Sequence, residues 1–440
     1  MKGIGHYDEV RQFTRAVSGE IKWKEPRAAI RAELESHIGE IAGELIQEGM
    51  EQNDAVRQAV LRMGDPVEIG KRMQSVHKPT TDWGLPGLLA LLLGIGIFAM
   101  FAVQGVIQDR MPGYDLVGRH LVSVVAGVGA ALLLWRMNYR KISGYSNALF
   151  MTGIGTIIFV NLFGLELNGT KRYIEFLGFT VDMMSAALFF LLVSASGMKP
   201  AKEWGTVESI KQLALRLMLP EILFLMAHAH LVGFYYAVGF FIIVWLTRKS
   251  MLHFILQTVG VIIPVFIYFM HTSVFGRSDY IVQRLTGFIR MDDPQNSDYY
   301  TYVSIETIRN AGWWGQGYAA SANMLPYIHT ESLFTFMIYS FGWSLGLFIS
   351  GAVFAFIIYV SRLVMKIREP FGKRLAASIL GLLSIQFIWS VFMCIGWAPF
   401  VGVSLPFVSY GNTLIILHCA AAGLIFSVTR RRRLPLPTAA

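Results

Sequence analysis

The chain has 440 residues, 54% of them hydrophobic and only 15% charged, against about 45–50% and about 25% in soluble globular proteins. That balance excludes an ordinary soluble enzyme and indicates a polytopic membrane protein. The formal charge of +9 does not point to nucleic acid, because the basic residues sit in short clusters beside apolar runs, where the positive-inside bias accounts for them.

Residues 1–78 carry acids and bases in near balance and no membrane-length apolar run, so they are expected to form a small soluble helical domain. Ile30, Leu34, Ile38, Ile41 and Leu45 recur at helical spacing and predict one apolar stripe on a helix from Glu25 to Gly49. Gly49 is a natural C-cap, Asn53 starts the next helix, and Gly64 ends it. Asp65-Pro66 then opens a last short helix in the order cap, then proline. The pattern from Glu33 to Met73 resembles the small helical domain that precedes the first span in some Gram-positive permeases and anti-sigma-like regulators, a resemblance covering roughly residues 24–74. The domain reads either as a module for a cytoplasmic partner or as a folded cap with none. His37 has no metal-ligand companion at helical spacing and reads as a surface histidine. No cleavable signal peptide is expected, because the first 80 residues are polar, so the first span directs insertion.

Apolar segments follow near 84–107, 117–135, 147–165, 176–196, 212–229, 231–247, 252–270, 332–360, 375–397 and 405–428. Each has about the length that crosses a hydrocarbon core, roughly 20 helical residues. The expected fold is therefore an all-α polytopic membrane protein of about ten spans over 79–434, with a short tail at 435–440. Lys and Arg at 136–141, 199–202, 248–249, 362–374 and 430–433 place both termini in the cytoplasm and the long segment 271–331 outside. Cys394 and Cys419 both fall in predicted spans, so no disulfide framework is implied.

Ionisable groups inside spans are costly and tend to mark a pathway. Asp182 falls in the fourth predicted span, and Arg216, Glu221, His228 and His230 fall in or near the fifth, where Pro220 frees backbone groups. These form either a polar focus or a set of partnered charges holding helices together. The external segment differs: it contains Arg284, the acidic Asp292-Asp293, a Tyr299-Tyr300-Thr301-Tyr302 cluster, Arg309 and then Gly312-Trp313-Trp314-Gly315-Gln316-Gly317. Tyr and Trp favour the headgroup level, and the glycines permit tight turns. Leu325-Pro326-Tyr327-Ile328-His329-Thr330-Glu331 then enters the next span, leaving a carboxylate at the membrane rim.

The ordered set GWWGQG, LPYIHTE and, much later, LPFVSYGNT resembles the shape, elongation, division and sporulation proteins, the family of RodA, FtsW and SpoVE. Asn168-Gly169-Thr170-Lys171-Arg172-Tyr173 is similar to that family's N-G-A-x-R-W, and Pro220-Glu221 to its P-D. The resemblance covers about residues 84–430. It implies polymerisation of lipid II into glycan strands at the outer face of the cytoplasmic membrane of a bacterium, with a class B penicillin-binding protein as the transpeptidase partner. Glu331 stands where the family has an essential aspartate and is the candidate general base. Arg172, Lys171, Arg284 and Arg309 are the candidate pyrophosphate or sugar contacts. Ser409, Tyr410 and Gly411 match a motif that lines the family's central cavity, and read alternatively as helix-packing residues. The sequence departs from the family pattern at Glu331 itself, one methylene longer, at Tyr327 in place of an acid, and at Asn412 in place of a glycine. A non-catalytic scaffold of cell-wall synthesis and a transporter of lipid-linked precursor are the alternatives. A divalent cation between pyrophosphate and an acid is compatible with this chemistry, but Asp292-Asp293 lacks a ligand pattern, so no metal is assigned.

Overall fold

The computed structural model describes residues 4–23, 27–76, 82–108, 112–167, 170–176, 179–252, 254–255, 257–259, 299–320, 325–432 and 434. The chain divides into two compact units, Met1–Asp82 with Arg430–Ala440, and Trp83–Thr429.

The first unit is built from α1 (Asp8–Glu20), α2 (Arg27–Gln47), α3 (Gln52–Met63) and α4 (Pro66–Val76). Ile30, Leu34, Ile38 and Leu45 of α2 are buried together with Val10, Phe13 and Val17 of α1 and Ala55, Val56 and Ala59 of α3. Ala42 joins that core, while Ile41 lies at its edge. The helix ends follow local chemistry: Gly49 and Gly64 take positive φ, and the Asp65 carboxylate accepts from the Val67 N–H at 3.0 Å. His37 is exposed, 3.9 Å from Glu40.

Among its described residues, the regular structure of the second unit is helical except for one small sheet. Its elements are α5 (Gly84–Ile107), α6 (Leu116–Arg136), α7 (Ser146–Phe163), strands β1 (Leu165–Leu167), β2 (Thr170–Phe176) and β3 (Phe179–Asp182), then α8 (Met183–Ser196) and α9 (Thr206–Leu213). A π-helical turn (Ala214–Met218) leads into α10 (Leu219–Met226), followed by α11 (His230–Thr247), α12 (Tyr299–Arg309), α13 (Leu333–Met365), α14 (Pro370–Cys394) and α15 (Asn412–Arg430). Among the described residues, seven helices are long and apolar enough to cross a membrane, and Met183–Ser196 is a shorter apolar one. The protein is thus a multi-pass membrane protein. Helix α7 packs on α8, α8 on α11 and α14, and α13 on α5 and α14, so lipid-facing and core-facing sides both stay apolar and the helices lack a polar stripe.

Two predicted spans are corrected. The fourth begins at Met183 rather than 176, because 179–182 pairs as β3 with β2 in the antiparallel order β1-β2-β3, in register Tyr173↔Asp182 and Ile174↔Val181. The last begins at Asn412 rather than 405, since 405–411 forms a turn. Most of the span expected over 252–270 lies outside the described residues. Around the fifth predicted span, Arg216 donates to Ser194 Oγ and to Asn147 Oδ1, and the Arg216 carbonyl accepts from the Tyr236 hydroxyl. Glu221 makes no ion pair with it, and its Oε1 is buried without a hydrogen bond.

Helix α13 is broken at Gly342, whose φ is +85°. The GWWGQG segment closes the break with main-chain bonds: Gln316 N–H to the Tyr339 carbonyl (2.9 Å), Gly317 N–H to that of Ser340 (3.0 Å) and Trp343 N–H to that of Gly312 (3.1 Å). The two backbones approach so closely that a Cβ at Gly315 would lie 2.3 Å from the Ser340 oxygen, and one at Gly342 would lie 2.1 Å from that of Trp313. Both glycines also hold positive φ, so no other residue fits here without displacing the joint.

Candidate active site

A cavity of about 330 Å³ opens at the end of the membrane unit that carries the sheet, lined by residues of α6, the sheet, α8, α11, the Glu331 turn, α14 and the 402–414 segment. Arg119, Arg172, Asp182, His329 and Glu331 are among its walls.

One wall is an interlocked polar cluster. Arg172 Nε donates to Asp182 Oδ2 at 2.8 Å, and its Nη2 lies 2.5 Å from the same oxygen and donates to Ser185 Oγ at 3.0 Å. Asp182 is also the N-cap of α8: its Oδ1 accepts from Ser185 N–H (3.0 Å) and its Oδ2 from Ser185 Oγ (2.7 Å). The Asp182 N–H in turn donates to Thr413 Oγ1 at 3.0 Å, tying α8 to the start of α15. Burial works against the Arg172 charge, but Asp182 more than offsets it, so the guanidinium is held above its ordinary value and stays charged. Arg172 thus lines the cavity as a cation paired with Asp182.

The opposite wall carries Glu331, half-buried on a turn fixed by main-chain groups. Thr330 and Ser332 N–H both donate to the Tyr327 carbonyl (3.0 and 3.2 Å), and Tyr410 N–H donates to that of His329 (2.8 Å). Ser409 Oγ donates to the Thr330 carbonyl (2.9 Å) and accepts from Leu405 N–H (3.0 Å). Cys394 Sγ reaches the Glu331 carbonyl at 3.5 Å. Among the described residues, the carboxylate takes only the Thr330 hydroxyl as a side-chain partner, and it lines the cavity. Burial holds the His329 imidazole below its ordinary value, with Glu331 pulling the other way.

Glu331, Arg172, Tyr410 and Gly411 thus meet in one cavity. The others do not. Ser409 is a buried peg behind the wall, not a lining residue. Lys171 reaches the Asn161 carbonyl (3.4 Å), and its N–H donates to the Ala227 carbonyl. Arg309 ends α12, exposed and away from the lining. Arg284 lies outside the described residues. Asp182, expected within a span, instead caps one.

Arg119 was missed. It sits at the start of α6 with its guanidinium 5.2 Å from the Tyr114 ring centroid, and it has no carboxylate partner among the described residues. The signal was present, since an arginine inside a predicted span marks a polar site. Tyr114, which supports it, has its hydroxyl 3.5 Å from that of Tyr410. With Arg172 and Asp182 paired with each other, Arg119 and Glu331 are the other arginine and carboxylate among the described lining residues. No three His, Cys, Asp or Glu side chains come together as a metal-holding group among the described residues.

Residues 84–434 match the family model of the cell cycle proteins FtsW, RodA and SpoVE. The chain belongs to that family. Among the FtsW/RodA/SpoVE relatives, it is 24% identical over 362 residues to a Geobacter metallireducens protein named "Probable peptidoglycan glycosyltransferase FtsW", covering 79% of this chain and 95% of that one. The Coxiella burnetii protein of the same name is 26% identical over 375 residues, covering 80% and 98%. In fold, the chain is similar to one chain of a peptidoglycan synthase complex that coordinates polymerization and crosslinking, with a TM-score of 0.66 at 19% identity, covering 80% of this chain and 98% of that one. The Thermus thermophilus rod shape determining protein RodA superposes with a TM-score of 0.60 at 18% identity over the same shares.

Proposed function

We propose that this protein is a peptidoglycan glycosyltransferase that polymerises lipid II at the outer face of the cytoplasmic membrane, with Glu331 as general base. The observation that carries this reading is the facing of an unneutralised carboxylate, Glu331, and an unneutralised guanidinium, Arg119, across one cavity at the end of a membrane bundle. Family membership and the names of its relatives support the reaction class.

Glu331 takes the proton of the acceptor sugar's 4-hydroxyl as that oxygen forms a bond to the donor's anomeric carbon. The bond from that carbon to the pyrophosphate oxygen breaks, and the lipid pyrophosphate leaves with the electron pair. Arg119 balances the charge that builds on the leaving group, in a site whose other cation is already paired. The membrane confines both lipid-linked sugars to the rim where Glu331 sits. The synthase complex among the fold's neighbours supports a penicillin-binding protein as the partner that crosslinks the product.

The test is polymerisation of purified lipid II by the full chain, alone and with its transpeptidase. Wild type is expected to make glycan and Glu331→Gln to lose about a hundredfold or more of the rate. Glu331→Asp, which withdraws the carboxylate by a methylene, reads the reach the base requires. A wild type inactive under every partner condition sinks the enzyme reading in favour of a scaffold.

A further inference from the structure

We infer that Gln386 sets the substrate specificity of the Glu331 cavity by hydrogen-bonding the 2-acetamido group of the acceptor sugar; this rests on the polymerase reading. Gln386 is a lining residue, and its Oε1 is buried without a hydrogen bond. Among the described lining residues, it is the one whose side chain leaves a buried polar atom in that state. Elsewhere on the wall, Arg172, Asp182 and Ser185 bond one another. Buried polar groups nearly always have a partner, so an amide left without one at a cavity wall marks a place for a ligand group.

The fold holds that amide at a fixed place. Helices α8, α11 and α14 pack on one another, and Leu188, Leu231, Tyr235 and Gln386 line the cavity from them. The rotation of α14 is set by its neighbouring side chains. Phe387 is buried against Phe356 and Phe407, with ring centroids 5.9 and 6.1 Å away, and Trp389 Nε1 donates to the Pro399 carbonyl at 3.2 Å. A recognition group on such an element is held more precisely than one on a loop. The same helix ends at Cys394, whose Sγ reaches the Glu331 carbonyl, so Gln386 lies about two turns, roughly 12 Å, along α14 from that contact. A sugar's width plus two hydrogen bonds of about 2.9 Å each spans a separation of that order.

An acetamido group suits this wall better than a hydroxyl, a phosphate or a lipid tail. A carboxamide carries both donors and an acceptor, and an acetamido group answers with its carbonyl and its N–H, so the two pair reciprocally. The acetamido methyl also suits Leu188, Leu231 and Tyr235, which a hydroxyl or a water would leave uncovered. A phosphate is drawn to an arginine instead, and a polyprenyl tail offers the amide no partner. The cavity, at about 330 Å³, is at the small end of ligand pockets, about 300–1,000 Å³, and suits one sugar ring rather than a whole lipid-linked disaccharide. On that ring the acetamido group stands two carbons from the reacting hydroxyl. A sugar that presents its 4-hydroxyl to Glu331 therefore carries its acetamido group into the same cavity.

The experiment compares kcat/KM for polymerisation by the full chain with its transpeptidase on three substrates: lipid II, lipid II lacking the acetyl group of its terminal sugar, and lipid II lacking that of its lipid-linked sugar. Wild type is expected to lose about tenfold to a hundredfold on the first analogue. Gln386→Leu is expected to lose a similar factor on lipid II and to use the first analogue equally well. Gln386→Glu is expected to prefer the first analogue, whose bared amine binds a proton and pairs with the new carboxylate; a helix-packing role cannot produce that reversal. Discrimination by Gln386→Leu as large as that of wild type overturns the inference. So does a discrimination that Gln386→Leu loses only against the second analogue, which gives the amide to the donor sugar. Binding of the same three lipids in detergent, read by thermophoresis, separates this inference from the reading beneath it. A wild type that makes no glycan yet binds lipid II more tightly than the first analogue, with the difference lost in Gln386→Leu, overturns the polymerase reading and keeps the subsite; equal binding of the two overturns the subsite.

Discussion

The two walls of the cavity are held by different means. The Arg172 wall is a side-chain network in which Arg172 and Asp182 answer each other and share Ser185, while the Asp182 main-chain N–H is tied to Thr413. The Glu331 wall is pinned through carbonyl and amide groups, and its carboxylate is left nearly free. A group that must change protonation during turnover gains from a rigid backbone and few fixed side-chain partners, whereas a buried cation needs its partner beside it. The difference teaches that charge at this cavity does not by itself mark chemistry.

If that division holds, substitutions on the two walls separate rate from stability. Glu331→Gln is expected to abolish most polymerisation, by about a hundredfold or more, while the melting temperature in detergent stays near wild type; a large fall in melting would merge the two walls. Asp182→Ala removes both the Arg172 partner and the α8 cap and is expected to destabilise the protein by about 3–5 kcal/mol, measured by chemical or thermal unfolding. Restoring stability with Asp182→Ala combined with Arg172→Met, which removes the orphaned charge, tests that cause. Ser409→Ala leaves the Leu405 N–H and Thr330 carbonyl without their peg, costing about 1–2 kcal/mol, with a loss of rate as the Glu331 turn loosens. The smallest effect is in pH. Because native His329 titrates below its ordinary value of 6.5, the unfolded chain binds more protons than the folded one as pH falls below about 6.5, and stability declines there. His329→Gln is expected to make that decline shallower, read as the difference between melting curves at neutral and mildly acidic pH.

Much of this fold is legible in the sequence wherever a single period decides the structure. The stripe at Ile30, Leu34, Ile38 and Leu45, the stops at Gly49 and Gly64, and the apolar spans follow from local chemistry alone. The errors fall where a short apolar run reads equally as strand or helix, as at 179–182, and where a helix is interrupted by contacts from a distant segment, as at Gly342. At the site, Glu331, Tyr410 and Gly411 could be found from the resemblance of ordered motifs. The pairing of Arg172 with Asp182 was not, because Asp182 reads as part of a span until the sheet brings it back to Arg172. Arg119 escaped because the motifs direct attention to the long external segment, while the cavity draws its second cation from the start of α6.

The joint at Gly342 has a mechanical consequence for the carboxylate. The helical stub between Ser332 and Gly342 starts beside Glu331 and ends at the GWWGQG segment, so it behaves as a short strut clamped at both ends: by Ser409 and Tyr410 near the carboxylate, and by the Gln316, Gly317 and Trp343 amides at the far end. Both clamps grip polypeptide rather than side chains. Trp313 and Trp314, 66% and 84% exposed, are therefore expected to be replaceable as far as the strut is concerned, whereas a single methyl added at Gly315 or Gly342 meets main-chain atoms and is expected to open the far clamp and disturb Glu331 from across the length of the stub.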